Sequence, residues 1–267
     1  MVDLTEFKNP IEDAIERIHE EKLPRPYLGC SSIGHSCDRH LWYQLRWAHK
    51  NFIPSKLLRI FERGDLEEER IVRLLEKIGC LVEGRQYSIS DFGGHFGGHI
   101  DGLVTGVPGA EKTTHLLEIK TANDRNWKMF KKDGVKLNSA KYYAQVQLYM
   151  GYLKLKRALF VCVNKNDEQI YFERIKFDES EFKFYKRKAF SILSSEEIPD
   201  KIGDATWYEC KFCSSFDICH GGAKELETCR MCKHSSIADN RSWECELHKK
   251  NLTLEEQENG CKDFTRL

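Results

Sequence analysis

Asp101 and the triplet Glu118-Ile119-Lys120 are the residues of this 267-residue chain whose types and spacing best suit chemistry. Asp101 lies in Gly98-His99-Ile100-Asp101-Gly102, and the triplet follows His115-Leu116-Leu117. On a strand, alternation sends Glu118 and Lys120 to one face and Ile119 to the other. If the Asp101 strand pairs beside it, two carboxylates and an ammonium meet at one point. That grouping suits phosphodiester hydrolysis. Carboxylate oxygens hold Mg2+ or Mn2+, and the metal polarises a phosphoryl oxygen and acidifies a bound water. Lys120 orients that water or stabilises the charge of the transition state. Glu-x-Lys alone is commonplace and reads as a surface salt bridge. Its setting, after a glycine-rich turn and ahead of a lysine- and asparagine-rich loop and a helix, makes it specific.

The elements that must position these residues follow from hydrophobic periodicity. Helices are predicted over residues 9–21, from Ser36 as N-cap through Leu41, Trp42 and Leu45, over Leu57–Ile78, over Lys141–Leu153 and over Asp178–Ser194. Strands are predicted over Leu81–Ile89, His99–Thr105, His115–Thr121, Arg157–Asn164 and Ile170–Ile175, with Gly93–Gly98 as a turn. The first three strands suggest an antiparallel meander. The order implies an α/β (α+β) fold, a mixed central sheet flanked by helices. From Trp207 onward cysteines dominate and long apolar segments vanish, so this tail needs a staple to fold.

The cysteines supply candidates for that staple. The chain holds 11, and the stretch Met1–Pro10 has no apolar signal core, so it reads as cytoplasmic. In a reducing compartment clustered cysteines are metal ligands rather than disulfides. Cys210-x2-Cys213-x5-Cys219 offers three thiolates and needs a fourth, for which Cys37 is the candidate and Cys30 a rival. Four thiolates suit either an iron–sulfur cluster or zinc. Cys229, Cys232, Cys245 and Cys261 form a second set, read as a structural zinc site, with His234 and His248 as substitutes. Cys80 and Cys162 sit among apolar residues and read as core.

Taken together, Asp101, Glu118 and Lys120 in this order resemble the PD-(D/E)XK nuclease superfamily. The likeness is to its RecB-like branch, which includes the RecB nuclease domain, phage lambda-type exonucleases and CRISPR-adaptation nucleases. It covers roughly Cys30–Cys219, and it extends to phage-encoded versions. It implies a restriction-endonuclease-like core over 1–222, closed by Cys37, Cys210, Cys213 and Cys219 around a 4Fe–4S cluster. Residues 223–267 then form a separate small zinc-binding-like module. The resemblance also implies that the Ile119 carbonyl joins Asp101 and Glu118 on the Mg2+ or Mn2+. Gly64-Asp65-Leu66-Glu67-Glu68 matches a helix motif that places Glu68 as a further ligand. Gln145-x3-Tyr149 matches a helix motif whose residues contact DNA or hold the catalytic lysine.

Lysine and arginine number 42, as do aspartate and glutamate, so net charge is silent about nucleic acid. A local patch must carry it. Lys128 and Lys131, interleaved with Trp127 and Phe130, are the candidates: cations for phosphates, aromatics for unpaired bases. The alternative is an amphipathic helix with Trp127 and Phe130 in the core. No stretch reads as a membrane span. The expected activity is a metal-dependent DNA exonuclease acting on single-stranded or frayed linear ends. The expected partners are DNA and, from the resemblance, recombination or replication proteins. A structure-selective or nicking endonuclease of the same fold and a non-catalytic DNA-binding accessory subunit are the alternatives.

Overall fold

The computed structural model describes residues 9–20, 22–50 and 52–267. Met1–Lys8, most of the stretch read above as lacking a signal core, and Glu21, the end of the first predicted helix, lie outside them. The elements in chain order are α1 (Pro10–Glu20), β1 (Leu28–Gly29), α2 (Asp38–Leu45), α3 (Ser55–Lys77), β2 (Leu81–Glu83), β3 (Ser88–Asp91), β4 (Phe96–His99), β5 (Gly102–Thr105) and β6 (His115–Ala122). Then come α4 (Asp124–Asn138), α5 (Ala140–Leu153), β7 (Arg157–Asn164), β8 (Ile170–Lys176) and α6 (Glu179–Ser194). Two short helices, α7 (Tyr208–Lys211) and α8 (Phe216–Cys219), lead to β9 (Ser235–Ile237), β10 (Trp243–Cys245), β11 (Lys250–Leu252) and α9 (Leu254–Asn259).

The central sheet is mixed, with strand order β2-β5-β6-β7-β8. Strand β6 pairs antiparallel with β5 and parallel with β7 over Leu116–Ala122. A parallel neighbour needs a crossover, and α4 and α5 provide it. Helices lie on both faces, so β6 and β7 are almost wholly buried. Phe160 and Cys162 face a core shared with Trp127, Phe130, Val146 and Tyr149 of α4 and α5. Leu117, Ile119, Val161 and Val163 face a second core with Ile71 and Val72 of α3.

Three boundaries differ from expectation. The predicted strand Leu81–Ile89 is two strands in two sheets, because Gly84 (φ 61°) and Gln86 (φ 56°) turn the chain between them. The predicted turn Gly93–Gly98 is a turn only to His95; Phe96–His99 is strand β4, paired with β3 on one side and β1 on the other. The N-cap of α2 is Cys37, whose sulfur accepts from the His40 amide, while Ser36 bonds Glu209 instead. The three-stranded sheet β11-β10-β9 is separate from the central one. Its Trp243, Cys245 and Leu252 nevertheless join the same core cluster as α2 and α5. Among the described residues, no helix is long and apolar enough to cross a membrane.

Candidate active site

Register brings the two acids together. Gly102 pairs with Leu117 in the antiparallel β5–β6 ladder, so the next position outward sets Asp101 opposite Glu118. The Ile119 amide donates to Asp101 Oδ2 at 2.6 Å. Lys120 Nζ lies 3.9 Å from the same oxygen and in direct ion-pair contact with Glu118. Glu118 and Lys120 share the face toward α4 and α5, with the Lys120 ammonium 5.7 Å from the Tyr142 ring centroid. Ile119 turns to the α3 side.

Glu68 completes the group from α3. Its carboxylate accepts from Gln86 Nε2 at 3.0 Å and lies 3.6 Å from Arg85. Its neighbour Glu67 faces elsewhere and pairs with Arg70. Arg85 and Gln86 are residues that sequence reasoning missed. They sit in the turn between β2 and β3, where no spacing signal marks them.

The electrostatics of the group are unbalanced. Glu118 is fully buried, and its carboxylate meets the Lys120 ammonium with no other hydrogen-bond donor beside it. Burial, and the nearby Asp101 carboxylate, outweigh the Lys120 ammonium and push Glu118 up to about 8. Glu68 is raised by burial and then by Asp101. Burial alone would lower Lys120, but Glu118 and Asp101 overcome it and hold the ammonium charged. Three carboxylates thus face the Lys120 ammonium, with Arg85 reaching only Glu68 of the three, from the outer side. A cation is the physical remedy, and an all-oxygen donor set around a buried carboxylate fits a hard divalent ion such as Mg2+ or Mn2+.

Gln145 and Tyr149 lie beneath this group rather than at its mouth. They are 5% and 1% exposed, and they lie one helical turn apart on the same face of α5. Tyr149 packs so closely on β4 that a side chain at Gly98 would collide with its hydroxyl. Residues this enclosed offer no surface to a strand of DNA. Of the two roles the resemblance implied, their position favours holding the site.

The basic stretch needs a correction. Trp127 and Phe130 are buried in the core, and the indole N–H of Trp127 donates to the Cys162 carbonyl at 3.1 Å. They cannot stack on bases. The amphipathic helix α4 points them inward and leaves Lys128 and Lys131 on its outer side. Lys128 pairs with Asp124 at 2.8 Å, and Lys131 lies over the Trp127 ring.

Cys37, Cys210, Cys213 and Cys219 all line one pocket, beside His35 and His40. Cys30 does not; it is buried next to β4, where its amide donates to the Gly97 carbonyl. Two backbone amides point at the pocket's sulfurs, His40 at Cys37 and Ser215 at Cys213, each at 3.4 Å. His40 Nδ1 lies 3.4 Å from Cys213 Sγ, and Ser215 Oγ bridges His40 and His49 at 2.8 Å each. Burial, then the neighbouring thiols of Cys37, Cys219 and Cys213, raise Cys210. Four crowded thiols with amides aimed at sulfur fit a metal centre. In the tail, the thiol of Cys229 is pushed up to about 11 by burial and then by Cys261, Cys232 and Cys245. The Thr265 amide donates to Cys232 Sγ at 3.5 Å. Cys261, the exposed member, also groups with His248 and Asp263, their ligand atoms within 4.8 Å. All 11 cysteines are free of disulfides.

The sequence matches no family model and no curated protein. Solved structures do resemble the chain. One is SSO0001, at 16% identity, covering 80% of this chain and 95% of that one with a TM-score of 0.49. Another is the alkaline exonuclease LHK-Exo from Laribacter hongkongensis, at 19% identity, 64% and 88% coverage and a TM-score of 0.44. A third is a phage-related exonuclease from Haemophilus somnus 129PT, at 16% identity, 62% and 91% coverage and a TM-score of 0.42. Likeness at this level assigns no residue and no activity.

Proposed function

We propose that this chain is a divalent-metal-dependent deoxyribonuclease, acting as an exonuclease on single-stranded or frayed linear DNA. The observation that carries this reading is the convergence of Asp101, Glu118, Lys120 and Glu68 on one buried, anion-rich spot. A binding-only protein has no physical use for a cluster of buried acids around one ammonium, whose desolvation costs stability.

Glu68, Asp101, Glu118 and the Ile119 carbonyl would hold the metal. When bound there, Mg2+ or Mn2+ supplies charge neutralisation and Lewis acidity toward a phosphodiester. Lys120 stays protonated against the acids, so it stabilises negative charge developing on the phosphoryl group and orients the attacking water. The Ile119 amide fixes the Asp101 carboxylate, and Tyr142 backs the Lys120 ammonium. Cys37, Cys210, Cys213 and Cys219 would hold a 4Fe–4S cluster, and the tail cysteines zinc. Lys128 and Lys131 would meet phosphates without reading sequence.

The test uses end-labelled linear single- and double-stranded DNA and closed circles, with Mg2+, Mn2+ or EDTA, beside Glu118→Ala. Metal-dependent loss of linear DNA alone, absent in the variant, is the expected result. Cleavage of circles would make it an endonuclease. Binding without cleavage under every metal would leave an accessory subunit.

A further inference from the structure

Arg230 sits between Cys229 and Cys232 in the tail and is fully buried. Its guanidinium donates to the carbonyls of Leu45 (2.7 Å) and Pro26 (3.2 Å) and twice to Gln257 Oε1 (2.9 and 2.7 Å). It lies 3.7 Å from the Trp47 ring centroid. Beside it, buried Arg46 donates to the Arg230 carbonyl at 2.7 Å and to Ser195. Among the described residues, no carboxylate pairs with either guanidinium. Two buried cations without a counter-charge are costly. Arg230 is bracketed by Cys229 and Cys232, and four thiolates around a divalent ion would carry a net charge of about −2 beside it.

The same tail grips a second element. The Arg241 amide donates to the Gly93 carbonyl at 2.8 Å, and His95 Nε2 bonds the Ala238 carbonyl at 2.6 Å. Gly93 and Gly94 have positive φ, and a side chain at Gly94 would run into Arg241. This turn opens β4, whose flank is tied to β1 by the amides of Leu28 and Cys30. From β4 the chain runs through Ile100 to Asp101. The other gripped element, α2, ends at Leu45 and is capped at its start by Cys37.

We propose that the tail is a metal-locked clamp on the catalytic frame, with Arg230 as its positioning residue. Loading the four tail cysteines fixes Arg230 in its cage, and the clamp then sets α2 at its C-terminal end and the turn that delivers Asp101. The tail thus acts by holding the nuclease rather than by gripping DNA. Only the kinetic arm of its test rests on the nuclease reading.

The experiment measures hydrogen exchange and metal content of the full chain in four states: wild type, chelator-stripped, Cys261→Ser and Arg230→Gln. Cys261 is exposed, so its variant spares the fold. Expected is metal in the wild-type tail. Each perturbation should speed exchange about tenfold or more in residues 45–48 and 92–99, while α5 and β7 stay protected. Arg230→Lys, which keeps the charge without the planar fork, should lower kcat with KM held. Faster exchange confined to residues 228–267, a metal-free tail, or an unchanged kcat in Arg230→Gln would each overturn the clamp. A wild-type chain inert on DNA would instead end the nuclease reading, with the exchange data still deciding the clamp.

Discussion

The Ile119 amide donates to Asp101 Oδ2 at 2.6 Å, so the residue that separates Glu118 from Lys120 also fixes the acid on the neighbouring strand. One peptide unit thereby sets the distance between the two carboxylates. The side chains flanking it face α4 and α5, and its own side chain anchors in the α3 core. The site is rigid because three strand positions share one ladder.

Lys120→Ala should reduce cleavage by about 10^3-fold or more while DNA binding persists, since the ammonium acts on charge that develops only during reaction. Turnover assays beside gel shifts check this. Retained turnover would remove Lys120 from the mechanism.

Glu118→Gln should abolish activity, because it removes a carboxylate that would hold the metal. Mg2+ should raise the melting temperature of the wild type and leave the variant unmoved. Calorimetric scans with and without Mg2+ give the answer. An equal Mg2+ shift in both proteins would place the ion elsewhere.

His95 and His115 are fully enclosed, and burial holds both imidazoles below their usual range. The unfolded chain therefore takes up these protons first. Stability is fully present above about pH 6.5, the unfolded value, and is lost as pH falls below it toward the folded values. Urea midpoints across about pH 8 to 5 test the sign. A flat profile would contradict it.

Trp127 belongs to the core, so Trp127→Ala should cost about 3–5 kcal/mol. Trp127→Phe, which loses the bond to Cys162 and part of the buried ring, should cost less, about 1–3 kcal/mol. DNA affinity of the folded variants should not change. A large affinity loss in Trp127→Phe would restore the base-stacking role.

On the proposed cluster, Cys37→Ser should leave the four-thiol pocket without metal, and Cys30→Ser should not. Iron and zinc content, read together with visible absorption, distinguishes them. Loss of metal in Cys30→Ser alone would reverse the assignment of the fourth ligand.

Much of the frame was legible in the sequence because its signals are local. The apolar run Arg157–Asn164 is a strand with the predicted ends, and Asp178 caps a helix running to Ser194. Alternation in Glu118-Ile119-Lys120 placed its two charged side chains on one face. What stayed illegible depends on contacts far apart in the chain. Nothing near Gln86 announces that it supports Glu68. Trp127 and Phe130 are ambiguous in sequence because one amphipathic pattern serves both a core and a binding face. Arg230 looks like a surface cation until its carbonyl cage is seen. The parallel β6–β7 pairing also lies beyond local pattern, since it needs the α4–α5 crossover.

The Arg230 bonds to Leu45 and Pro26 span 185 and 204 residues of chain, and the His40–Ser215 bond spans 175. Contacts this distant form only after the intervening loop has been ordered. On the ribosome, α2 therefore waits for residues 215–230 to emerge before these contacts can form. The order of synthesis becomes a timer: the early residues are made long before the partners that complete them.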